Sequence, residues 1–178
     1  MKYLLLILSL FICINSNAQN KKSLLRDGNK LYTDSSYNEA EMKYRKSLEK
    51  DQEYFNASFN LADAIYKQQR YEESSALFDA LKDDANSKTD LAKIYHNLGN
   101  SLAKEQKLEE AINAYKNALR INPNDEDTRY NLALTTKQRN QQENKEDQQE
   151  NKEDQQENKE DQQENKEDQQ ENKEDQQE

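Results

Sequence analysis

The sequence predicts an all-α protein: a solenoid of three helix-turn-helix repeats plus a C-terminal capping helix, followed by a disordered tail. Three observations carry this reading. Residues 19–140 contain two glycines and one proline, little punctuation for a stretch of that length, as in helices joined by short turns. Within it three segments superimpose: "SLLRDGNKLYTDSSYNEAEMKYRKSLEKD", "ASFNLADAIYKQQRYEESSALFDALKDD" and "IYHNLGNSLAKEQKLEEAINAYKNALRINPN". Their apolar residues recur at three- and four-residue steps, which gives each helix one stripe to bury. A lone hairpin cannot bury such a stripe, so stacking supplies the core, with about three units as the minimum.

Residues 1–18 read as a secretory signal. Lys2 supplies the positive start, Tyr3–Ile14 the apolar stretch, and Ser16-Asn17-Ala18 a small-x-small cleavage site. The stretch is short for a bilayer span, which needs about 20 residues. Cleavage after Ala18 and a periplasmic location are expected, with a retained anchor as the alternative. A lipoprotein signal needs a small residue before the cysteine, and Cys13 follows Ile12. The chain's one cysteine leaves with the signal, so the mature protein has no disulfide and no thiol chemistry.

Residues 19–140 form the expected domain, with repeats at about 21–54, 55–91 and 92–125. Gly28, Ala62 and Gly99, and again Ala40, Ser74 and Ala111, keep the two helices of each unit close. Tyr44, Phe78 and Tyr115 fill the space between units. Residues 126–138 fit a capping helix, with Asn124 or Asp125 as N-cap and Lys137 and Arg139 near its C-terminal dipole. From 141 to 178 the chain repeats QQENKED, which has no apolar side chain and a surplus of acid in every unit. The net charge of −10 is therefore a property of the tail. Inside the tail, charged residues at helical spacing meet only their own kind, so residues 141–178 read as disordered and self-repelling.

The repeat resembles the tetratricopeptide repeat, whose signature is W-x2-L-G-x2-Y…A-x3-F…P. The third copy follows it in register with Tyr95, Leu98, Gly99, Leu102, Ala111, Tyr115, Ala118 and Pro123. The second offers Leu61, Ala62, Ile65, Ser74 and Phe78, then departs with a three-residue insertion around Ala85–Lys88. The first has Leu24, Gly28, Leu31, Ala40 and Tyr44, with Asp27 where leucine is usual. The resemblance implies a right-handed superhelix whose first helices line a concave groove for an extended peptide. By register the lining is Lys22, Leu25, Arg26, Asn29 and Tyr32 from the first unit. The second adds Asn56, Phe59, Asn60, Asp63, Tyr66 and Lys67, and the third Lys93, His96, Asn97, Asn100 and Lys104. The cap adds Asp127, Tyr130, Asn131 and Leu134.

Asn60, Asn97 and Asn131 share one register position, and Asn29 and Asn100 another. An amide donates and accepts at once, so such a row suits either a bound peptide backbone or contacts between helices; both readings stand. Some members of the family clamp a C-terminal carboxylate. Here Leu25 and Asn97 stand where the clamp needs basic residues, while Asn29, Asn60 and Lys93 match. Losing two charge-assisted bonds of about 1.5–3 kcal/mol each removes that function.

Catalytic chemistry has little to stand on. One histidine, His96, and no glycine-rich phosphate loop remain in the mature chain. "DDANSKTD" lacks the glycine and the glutamate of a calcium loop. No catalytic residue, metal or cofactor is expected, and no nucleic acid. The expected function is an exported adaptor that binds a protein or peptide. The architecture also resembles the small repeat proteins of aerotolerance (Bat) gene clusters, which implies an envelope complex with von Willebrand-type membrane proteins. The competing class is a self-associating scaffold whose repeats stack end to end. The acidic tail either keeps the protein soluble or transiently screens Lys22, Lys67, Lys93 and Lys104.

Overall fold

A computed structural model describes residues 21–145, which fall into two compact units, the first ending at Thr136 and the second starting at Lys137. The signal segment and the tail beyond residue 145 lie outside the described residues. The first unit contains α1 (residues 21–33), α2 (Tyr37–Leu48), α3 (Phe55–Lys67), α4 (Tyr71–Ala80), α5 (Lys88–Lys104), α6 (Leu108–Ile121) and α7 (residues 126–136). No strand occurs among the described residues. Each helix pair α1–α2, α3–α4 and α5–α6 is one hairpin, as the sequence predicts.

The three hairpin turns are built identically without glycine. Ser35, Gln69 and Gln106 adopt φ of 60°, 65° and 64°, the left-handed conformation. The following amides close the preceding helix: Ser36 N–H donates to the Leu31 carbonyl (2.9 Å), Arg70 to Ile65 (3.3 Å) and Lys107 to Leu102 (3.0 Å). This is the Schellman arrangement, which satisfies helix-end carbonyls at the cost of strain in a residue with a Cβ. The insertion near residues 85–88 has a local use. It places Ser87 as the N-cap of α5, accepting from Asp90 N–H at 3.1 Å and donating to the Asp90 carboxylate at 2.8 Å. At the cap, Asp125 is the N-cap, accepting from Thr128 N–H at 3.0 Å.

The core follows the repeats. Leu25, Ala40, Tyr44, Ala57, Leu61, Ala64 and Ile65 pack where the first unit meets the second. Phe55, Ala62, Phe78, Ile94, Leu98, Ala111 and Tyr115 pack where the second meets the third. Leu25 therefore belongs to the core and not to the groove. Its apolar side chain is drawn against Ala40 and Tyr44. Gly28 and Gly99 have a steric reason: a Cβ on either would lie 2.5 Å from the ring of Tyr44 or Tyr115. On the second-helix side, Glu41, Arg45, Arg70 and Glu73 form an ion-pair network between α2 and the start of α4, with Arg70–Glu41 at 2.7 Å and Arg45–Glu73 at 2.9 Å.

Residues 137–145, the described part of the second unit, are helical. Helix is thus found past the expected end at 138, and it includes the first five residues of the segment read as disordered tail. Arg139 pairs with Glu143 at 3.5 Å, one turn on, and Asn144 Nδ2 donates to the Asn140 carbonyl at 2.7 Å. The repulsion read inside the tail misses this attractive pair, because one partner precedes the repeat.

Candidate ligand groove

The backbones of α3 and α5 touch, whereas α2, α4 and α6 make no backbone contact with one another. The first helices of the second and third hairpins therefore approach one another more closely than the second helices do. This is the face that carries the positions the register assigns to a groove on α1, α3, α5 and α7.

The expected lining residues divide by depth. Lys22, Arg26, Asn29, Asn56, Lys67, Lys93, Lys104 and Tyr130 are exposed. Tyr32, Phe59, Asn60, Asp63, Tyr66, His96, Asn97, Asn100 and Asn131 are half-buried. Lys22, Arg26, Lys93 and Lys104 have no ion pair among the described residues, so their charges face solvent. Lys67 holds its ammonium 6.0 Å from the centroid of the Tyr66 ring.

Phe59 and His96, half-buried like their neighbours, also pack against core aromatics. Phe59 packs edge-on to Phe78, with centroids 5.4 Å apart, and His96 meets Tyr115 in the same manner at 6.2 Å. His96 Nδ1 also lies 2.6 Å from Oγ1 of the buried Thr128, joining α5 to α7. Burial holds its imidazole below the ordinary pKa, against the opposing pull of Asp125 and Asp127. Tyr130 occupies the matching position on α7, meets no aromatic ring among the described residues, and is 68% exposed.

The asparagines resolve into a repeated triad. Asn29 Oδ1 accepts from the Tyr44 hydroxyl (3.0 Å) and from Asn60 Nδ2 (2.8 Å). Asn100 Oδ1 accepts from the Tyr115 hydroxyl (2.8 Å) and from Asn131 Nδ2 (2.9 Å). Of the two readings open for these amides, contacts between helices are realised at four of the five positions. Each triad ties a first helix to its own second helix and to the first helix of the next unit. The spacing was visible in the sequence as Asn29–Tyr44–Asn60 against Asn100–Tyr115–Asn131. What the sequence did not reveal was which partner each amide takes.

Asn97 stands apart, because its register partner is Asp63 and the second-unit aromatic is Phe78. Tyr32, Thr33, Tyr44, Asn29, Asn60 and Asp63 enclose a pocket of about 170 Å³. Burial raises the Tyr32 hydroxyl pKa well above its ordinary value, reinforced by a hydrogen bond to Asp63. Tyr44 is pushed up to about 12 by burial and then by the Asp63 charge. Tyr66 is raised by burial and the charges of Tyr71 and Asp63. Among the described residues no group of three or more His, Cys, Asp or Glu could hold a metal, and no helix is long and apolar enough to cross a membrane.

Two family models match end to end along the solenoid. One described as "Tetratricopeptide repeat" covers residues 31–98, and one described as "TPR repeat" covers residues 99–138. A comparison with curated protein sequences found no match. Among solved structures, the first TPR domain of human RPAP3 is similar at 25% identity and a TM-score of 0.64, over 70% of this chain and 96% of that one. The first TPR of Spaghetti (RPAP3), bound to the HSP90 peptide SRMEEVD, is 24% identical with a TM-score of 0.62, over 67% and 92%. MamA from Desulfovibrio magneticus RS-1 is 21% identical with a TM-score of 0.63, over 68% and 67%.

Proposed function

Because the chain belongs to the tetratricopeptide repeat family, we propose that it is an exported, non-enzymatic adaptor that holds a peptide or protein segment on the face of α1, α3, α5 and α7. Domains of this family are protein–protein interaction modules, and one of the similar structures carries a bound HSP90 peptide. The observation that carries the reading is the inner face itself. It has four cations without ion-pair partners and open amide groups on a frame fixed by the two asparagine–tyrosine triads. The ligand differs in kind from the acidic SRMEEVD peptide of that relative. Leu25 is buried at one clamp position and Asn97 brings no charge to another. The Lys2–Ala18 segment supports export to the periplasm, and the architecture supports an envelope complex with von Willebrand-type partners of an aerotolerance cluster.

End-to-end stacking is disfavoured by the N-terminal end. Asp27 and Lys30 are exposed there, at positions matching the buried Leu61 and Ala64 of the second unit. Photo-crosslinking in whole cells tests the adaptor reading, with the probe at Asn56 or Lys93 on the inner face and at Lys116 on the outer face. A partner protein captured from the periplasmic fraction through the inner positions alone is expected. Equal capture from Lys116, or recovery of only self-crosslinked chains, would overturn it.

A further inference from the structure

Asn29, Asp63 and Asn100 share one register position, yet only the asparagines are tied into the frame. In the second unit Phe78 offers no hydroxyl, and no hydrogen bond joins Asp63 to Asn97 among the described residues. Asp63 is thus released from the structural duty of its equivalents. It faces the preceding unit, where it lines a pocket together with Tyr32 and Tyr44. There it is the one charged group lining the pocket of about 170 Å³. It has no ion pair among the described residues. The neighbouring Lys67 ammonium lies against the Tyr66 ring instead. The remaining walls are tyrosine rings and polar groups. Asn60 commits its N–H to Asn29, which leaves its carbonyl oxygen as an acceptor.

A half-enclosed carboxylate beside tyrosines repels an anion and favours a cation, through charge-assisted hydrogen bonds and attraction to aromatic faces. The pocket's volume suits the end of one side chain. We propose that it receives the cationic head of an arginine or lysine projected from the segment lying in the groove, with Asp63 as counter-ion. This rests on the groove reading and adds what the groove selects: a basic side chain at the junction of the first two units, among lysines that favour acidic or polar residues elsewhere.

The test is an amide NMR titration of the full mature chain with an extended peptide of alternating alanine and threonine carrying one central arginine. The same peptide with citrulline keeps the shape and loses the charge. The arginine peptide should shift the side-chain amides of Asn29 and Asn60 and bind about tenfold tighter than the citrulline peptide. Asp63→Asn should erase that preference. Asparagine is what the first and third units carry at this position, so the variant keeps the fold. Equal affinity for the two peptides, an unchanged preference in Asp63→Asn, or no shift at Asn29 and Asn60 would overturn the pocket. The same spectra separate the two ideas. Shifts at Lys93 and Asn97 without selectivity leave the groove standing, and their absence as well removes both. Spermidine producing the same shifts at equal concentration would assign the pocket to a free polyamine and overturn the peptide source.

Discussion

In the first and third units a glycine receives the ring of a tyrosine; in the second, an alanine receives a phenylalanine. The change is correlated across three positions: glycine to alanine, tyrosine to phenylalanine and asparagine to aspartate. Where the aromatic has a hydroxyl, an asparagine accepts from it and from the asparagine of the next first helix. The tethered ring then lies where a Cβ would be, 2.5 Å from the position it would take on Gly28 or Gly99. Where the aromatic is Phe78, the tether is gone, Ala62 fits, and the asparagine position is free to become Asp63. One missing hydroxyl thus separates two units whose asparagine is tied into the frame from one whose carboxylate lines a pocket. The second unit also differs at its far side, where Ser74 and Ser101 hydrogen-bond across the buried interface at 3.0 Å in place of an asparagine pair.

This comparison can be broken most severely at Gly99. Gly99→Ala gains about 1 kcal/mol of helix propensity but forces the pinned Tyr115 ring aside, a cost of about 1–3 kcal/mol. Net destabilisation is expected in urea unfolding. Tyr115→Phe alone should cost about 1 kcal/mol through the lost hydrogen bond. In the double variant, the untethered ring should tolerate the alanine as Phe78 tolerates Ala62. Additive losses in the double variant would show that the hydroxyl does not hold the ring.

The turns offer a smaller effect of opposite sign. All three units spend a left-handed residue there, whatever their aromatic, and none uses glycine. Gln106→Gly or Gln69→Gly should raise stability by about 1 kcal/mol, equally in both units. A loss in either, read from thermal unfolding, would mean that the glutamine side chain contributes something its exposure conceals.

The smallest expected effect concerns pH at the third unit. His96 is held neutral by burial, so its folded pKa lies below the unfolded value of about 6.5. As pH falls below about 6.5 the unfolded chain binds the proton first. The contribution of His96 is therefore complete above that pH and is lost as pH falls toward the folded pKa. Phe59, the matching residue of the second unit, contributes no such dependence. His96→Asn should flatten the stability profile between pH 7.5 and 5.5; a slope as steep as the parent's would remove His96 as its source. Asp125, whose carboxyl is lowered by its bonds to Thr128, acts in a separate, more acidic window.

The hairpins, their order and their three-fold repetition were legible because they rest on local periodicity. Gly28, Ala62 and Gly99 were identified as close-approach positions, and the aromatics Tyr44, Phe78 and Tyr115 as inter-unit filling, from spacing alone. Leu25 was misplaced because register gives a residue's position but not how far a neighbouring helix rolls over it. The depth of His96 was not legible for the same reason, since it depends on α7 docking against α5 through Thr128.

The sequence by itself determined which residues form each helix, where the small and large side chains alternate, and that no single hairpin could stand alone. These are consequences of spacing along one chain, where neighbours at three and four residues share a face whatever surrounds them. Tertiary structure decided what the polar groups do. An asparagine can bond a ligand or another helix with equal ease, and the choice at Asn29, Asn60, Asn100 and Asn131 was made by helices brought together from distant stretches of sequence. The same docking set Asp63 in the lining of a pocket beside Tyr32 and Tyr44, and gave the left-handed turns to residues with no intrinsic preference for them. Within residues 137–145 the helical residues cross the boundary that composition draws at residue 141, with Arg139 and Glu143 paired one on each side of it.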